Sequence, residues 1–173
     1  MIGNLKTLKH ITISLSPFLV SIPFTALDVN KFEESEDKAL WQPPGYVFGI
    51  VWPLLYSSLF YMTYSIFNNP KLSVGFKNMI ARDTLIDSGL QGLWLYVFRY
   101  IDNIKGRSKN QYLKGLLILY SLIGFGLYRI FNFIFNSELV STKGYLWMYL
   151  PYFMWINFAS ILGLQLYLGL TKK

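Results

Sequence analysis

Apolar residues fall along this chain in five long runs divided by short polar breaks, at about 8–27, 46–67, 73–101, 112–135 and 145–170. About 20 helical residues cross about 30 Å of hydrocarbon, so each run is long enough to span a bilayer. The pattern predicts an all-α fold, a single domain over 1–173 built as an integral membrane bundle of five transmembrane helices. Pro17 and Pro23 lie inside the first run, where each removes a backbone hydrogen bond and frees a carbonyl. A kink is expected there, with Ser14, Ser21 or a neighbouring helix supplying the substitute donor. Lys6, Lys9 and His10 ahead of this run give it the look of a secretory signal. Phe24, however, stands where a small residue would precede Ala26 at a cleavage site, so the run is read as a retained span. His10 is read as an interfacial residue at its foot, with axial ligation of a haem as the alternative.

The pattern breaks over 28–44, where Asp28, Glu33, Glu34, Glu36 and Asp37 supply five of the chain's nine acids. This is an aqueous loop, either a solvated connector or a lid. Pro43 and Pro44 bias the residue before each away from helix, so the loop arrives extended and the second helix starts at about Pro44 or Gly45. Phe48, Trp52 and Tyr56 then recur every fourth residue and share one face, with Trp41 near its mouth. Such a ladder can hold a flat apolar ligand, and it is equally what rings gathered at a bilayer interface look like. Gly45 and Gly49 make a small-x-x-x-small face for close helix approach, which leaves a homodimer open, and Pro53 interrupts the helix one turn later.

In the third run Asp83, Asp87, Gln91 and Trp94 lie on one helical face, and that polar face must turn inward. Asp87 with Gln91 can anchor a ligand; alternatively Arg82 and Asp83 sit at the interface and Asp87 is tied to a hydroxyl on another helix. The fourth run has Gly115, Gly124 and Gly126 for close packing, and Arg129 is read as snorkelling to headgroups. In the fifth, Tyr152, Trp155, Ala159 and Leu162 share a face, small Ala159 leaving room for something flat. Leu164, Tyr167 and Lys172 satisfy a loose sterol-recognition pattern, although a terminal Tyr and Lys also serve simply to anchor a helix.

Composition narrows the chemistry. With 53% apolar and 14% charged residues the chain is suited to lipid. It has no Cys and one His, which removes disulfides, Cys or His zinc sites and Ser-His-Asp catalysis from consideration. The net charge of +7 comes from short loops that form no stripe or reader motif, so anionic lipid headgroups and not nucleic acid are the expected partners. Nine of the 16 Lys and Arg residues (Lys31, Lys38, Arg99, Lys105, Arg107, Lys109, Lys114, Lys172 and Lys173) fall on the side of the acidic loop, favouring a cytosolic C-terminus.

The run Trp41, Pro43, Pro44, Val47, Phe48, Gly49, Val51, Trp52, Leu55 and Tyr56 resembles the signature of the translocator protein family, also called tryptophan-rich sensory proteins or peripheral benzodiazepine receptors. Pro151, Tyr152, Trp155, Phe158, Ala159 and Leu162 resemble a second family signature, and Leu90, Gln91 and Trp94 a third. The resemblance implies five helices with the first loop and C-terminus facing the cytosol. It also implies a receptor or translocator that binds porphyrin, haem or sterol-like ligands under a lid formed by the first loop. No obligatory cofactor is implied; porphyrin or haem enters as ligand. Trp52, Tyr56, Trp94 and Trp155 would stack on it, Ala159 and Leu162 would wall it, and Gln91 with Tyr152 would make polar contacts. Stacked rings contribute about 0.5–1.5 kcal/mol per pair beyond area burial. Departures from the family pattern stand at Phe32, Ile50, Gln91 (for Asn) and Gly163 (for Asn). Two other classes stay open: light-dependent porphyrin breakdown through Trp52 and Trp155, and a scaffold that binds no ligand. The host membrane would be mitochondrial outer or endoplasmic reticulum in a eukaryote, and inner membrane in a bacterium.

Overall fold

A computed structural model of the protein describes residues 2–25, 41–100, 109–136 and 143–171. These form five long helices: α1 (Ile2–Thr25), α2 (Gly45–Asn68), α3 (Val74–Leu95), α4 (Lys109–Phe135) and α5 (Lys143–Thr171). Local chemistry sets their ends. Pro44 is extended at φ −55° and ψ 150°, and its carbonyl accepts from the Val47 N–H at 3.0 Å, so α2 begins at the residue after the double proline. At the far end Asn69 Oδ1 accepts from the Lys71 N–H at 3.0 Å to make the turn. Ser73 Oγ then accepts from the Phe76 N–H at 3.1 Å and caps α3. The third run is not one uniform helix: α3 gives way to a π-helical turn over Tyr96–Tyr100.

The helices close into a ring in the order α1, α2, α5, α4, α3. Because α1 and α3 run parallel, Ser16 Oγ meets Ser88 Oγ at 2.8 Å and Val20 lies beside Gly92. In α2 and α4 the most apolar stretches are only 22% and 28% buried, the reverse of a soluble protein's core helix, and the greasy outward faces suit hydrocarbon.

Helix α1 passes through Pro17 without a break in its helical span. The carbonyl that Pro17 frees is that of Ile13, and Ser16 Oγ donates to it at 2.8 Å. The expected donors, Ser14 and Ser21, are taken up elsewhere, on the carbonyls of His10 and Phe18. His10 stacks on Phe67 of α2 with ring centroids 4.4 Å apart. Close packing falls at Gly115 and Gly126, where a Cβ would strike the rings of Phe98 and Phe153. It does not fall at Gly49 or Gly124, which have open space where a Cβ would stand.

Candidate functional site

A chain of aromatic rings runs from the loop side of α2 into the bundle. Trp41 meets Phe158 edge-on at 5.7 Å, Phe158 stacks on Trp155 at 5.0 Å, and Trp155 receives the edges of Phe48 at 5.5 Å and Trp52 at 6.3 Å. Trp52 is the hub, since it also contacts Tyr56 at 5.5 Å and Trp94 at 5.9 Å. Spacing of four along α2 places Phe48, Trp52 and Tyr56 on one side, and the ring of helices supplies Trp94 from α3 and Trp155 from α5. Six of the expected site residues therefore belong to one connected ring system, Trp41, Phe48, Trp52, Tyr56, Trp94 and Trp155, and Tyr152 shares a core cluster with Tyr56 against which Trp52, Trp94 and Trp155 pack.

The rings touch one another at ordinary aromatic contact distances and fill the space an open pocket would occupy. Elsewhere there are only narrow crevices among the described residues: one lined by Phe76, Met79, Ile80, Asp83, Arg129, Asn132 and Phe133 has no room for a water molecule, and one lined by Val97, Phe98, Gln111 and Tyr112 has room for about one.

Beneath the rings is a buried polar network. Arg129 Nη1 donates to Asp87 Oδ2 at 2.9 Å, both side chains being enclosed. The Tyr152 hydroxyl lies 3.1 Å from Asp87 Oδ1 and 3.3 Å from Gln91 Oε1. Arg129 also lies over the Tyr149 ring, 4.6 Å from its centroid. This corrects the reading of Arg129 as a snorkelling residue: an Asp on α3 is within reach, and pairing inside relieves both buried charges at once. Of the two readings of Asp87, its tie to a hydroxyl on another helix is present, as the bond from Tyr152. Asp83 is buried, and its partner Arg82 is exposed, bridging to the Tyr128 hydroxyl at 2.8 Å.

The remaining expected residues are scattered. Ala159 is buried, but Leu162 packs with Tyr112 and Leu166 in a separate cluster that Phe48 and Tyr167 flank. Leu164 is exposed, Tyr167 lies under the Lys109 ammonium at 5.7 Å, and Lys172 is outside the described residues, as are Phe32 and the rest of the loop before Trp41. Ile50 faces outward. Gly163 is buried where a Cβ would come within 3.2 Å of Leu116, so a larger side chain here would press on the contact between α4 and α5. Sequence reasoning missed Arg129, Tyr149 and Phe158 as parts of the site. The signals are a charge inside an apolar run for Arg129, membership of the second signature for Phe158, and a spacing of three residues on α5 for both rings, Tyr149 from Tyr152 and Phe158 from Trp155.

Buried polar atoms complete the site: the indole N–H groups of Trp94 and Trp155 and one end of the Gln91 amide have no partner. A bundle with apolar outer faces, an internal cluster of indoles and an ion pair sealed between helices suits a multi-pass integral membrane protein. A sequence model of the TspO/MBR family matches residues 12–168, and the chain belongs to that family. Membership makes it a membrane protein of the receptor and translocator type. No curated protein matches it.

Proposed function

We propose that the protein binds flat, largely apolar molecules of the porphyrin, haem or sterol type between α2, α3 and α5, with its C-terminus on the cytosolic side. The observation that carries this reading is the position of Trp52, whose ring meets those of Tyr56, Trp94 and Trp155 from three helices. A flat ligand exchanges ring-to-ring contact for ring-to-ligand contact, so parting the cluster loses little stacking and gains the burial of the ligand's own surface. Unpartnered N–H groups on Trp94 and Trp155 add polar contacts that an incoming molecule can complete.

The test is a titration of the detergent-solubilised protein with protoporphyrin, followed by quenching of tryptophan fluorescence. Quenching should saturate, and changing both Trp52 and Trp155 to Leu should weaken binding by roughly 10-fold or more, as expected for two lost stacking surfaces. Quenching that never saturates and ignores both substitutions would leave a scaffold without a ligand.

A further inference from the structure

The Tyr152 hydroxyl carries one hydrogen and lies near two acceptors, Asp87 Oδ1 at 3.1 Å and Gln91 Oε1 at 3.3 Å. It can donate fully to only one. Arg129 decides which. Its guanidinium is permanently charged, is buried, and donates to the other oxygen of Asp87 at 2.9 Å. A protonated Asp87 would strand that charge in the bundle interior, so Asp87 is held as a carboxylate. A carboxylate is a stronger acceptor than an amide oxygen, and it also makes the shorter of the two contacts. The Tyr152 hydrogen therefore goes to Asp87.

Gln91 is then left in conflict. With Oε1 toward Tyr152 it would set one lone pair against another at 3.3 Å, while its own Nε2, also buried, would have no acceptor. The two ends of an amide are nearly the same size, and half a turn about its last bond exchanges them without moving another atom. After that turn Nε2 donates to Tyr152, Tyr152 donates to Asp87, and Asp87 accepts from Arg129. Each link of this chain across α3, α4 and α5 then pairs a donor with an acceptor, while Arg129 Nε and Nη2 keep no partner. Gln91 Oε1 takes the unpartnered place, one helical turn before Trp94, whose ring packs on Trp52.

We infer that Gln91 directs its carbonyl oxygen away from Tyr152 and into the unpartnered place one helical turn from Trp94, so that the site selects a flat apolar ligand donating a hydrogen bond through a hydroxyl or ring N–H. The ligand part of this inference rests on the proposed function; the amide orientation does not. A hydroxyl is the fuller match, because it donates to Gln91 and can accept from a free indole N–H of Trp94 or Trp155. A ligand presenting only a carbonyl at this place repeats the lone-pair conflict.

Two measurements test it on the full chain in detergent. In the first, the protein is labelled with ¹⁵N-glutamine and the Gln91 side-chain resonances are identified by their loss in Gln91→Met. Tyr152→Phe should move one Gln91 amide proton upfield by removing its acceptor, with the tryptophan indole resonances reporting that the bundle is intact. No movement of either proton in an intact bundle overturns the orientation. In the second, which needs no variant, a steroid with a 3-hydroxyl is compared with the 3-ketone of the same skeleton by tryptophan quenching. The alcohol should bind about 10-fold tighter or more, a difference that disappears in Gln91→Met. Equal or tighter binding of the ketone to the unaltered protein overturns the selectivity. If neither steroid nor protoporphyrin binds, the proposed function and the selectivity fall together, and the resonance measurement still decides how Gln91 is turned.

Discussion

A guanidinium one and a half turns from the end of α4 has the length to reach headgroups, yet Arg129 turns inward to Asp87 and lies over Tyr149. The choice follows from Asp87, which the helical period of α3 forces into the bundle and which needs a counter-charge there. Removing either member strands the other. Arg129→Met and Asp87→Asn should each destabilise the protein by about 3–5 kcal/mol, whereas Asp87→Leu combined with Arg129→Met should cost less than either single change. Thermal melts in detergent followed by circular dichroism would check this. A double variant as unstable as the sum of the singles would mean that the two residues act independently.

At the scale of helices, stability depends on where small residues meet large ones. Gly126 lets the Phe153 ring of α5 lie against the α4 backbone, whereas Gly124, two residues earlier, faces open space. Gly126→Ala should therefore destabilise by about 1–3 kcal/mol as the ring is displaced. Gly124→Ala should be neutral or stabilise by up to about 1 kcal/mol through helix propensity. Comparing the melting temperatures of the two variants separates packing from propensity, since propensity alone would raise both. The same contrast shows how much a sequence discloses. The inward face of Asp83, Asp87, Gln91 and Trp94 is a property of one helix and follows from its period, and the start of α2 follows from two prolines. The partner of Asp87 is another matter. Arg129 stands 42 residues away on a helix whose neighbours are set by the closure of the whole ring, and no local pattern records which side chain will arrive there. Gly124 and Gly126 look alike in sequence for the same reason, as do Ser14 and Ser16 before Pro17.

Across the whole molecule the two ends of the α2, α3 and α5 interface are held differently. Toward the turn after α2, Ser58 Oγ donates to the Met148 carbonyl at 2.9 Å, and Tyr152, Asp87 and Arg129 tie α5 to α3 and α4. Toward the loop before α2, ring packing joins the helices, from Trp41 and Phe158 to Trp155, Phe48 and Trp52. Hydrogen bonds and ion pairs sealed from water resist sliding, whereas stacked rings part at a cost of about 0.5–1.5 kcal/mol per pair. A ligand of the proposed kind must therefore wait for the ring-packed end to open while the bonded end acts as pivot. Binding through a minor open state has a kinetic signature: the observed rate rises with ligand concentration and then levels off at the opening rate. Stopped-flow mixing with protoporphyrin, followed by tryptophan quenching, should show such a plateau. Trp155→Leu, which thins the packing between α2 and α5, should raise the plateau even as it weakens binding at equilibrium. A rate that climbs linearly to the highest usable concentration, and that Trp155→Leu leaves unchanged, would mean that the rings do not gate the site.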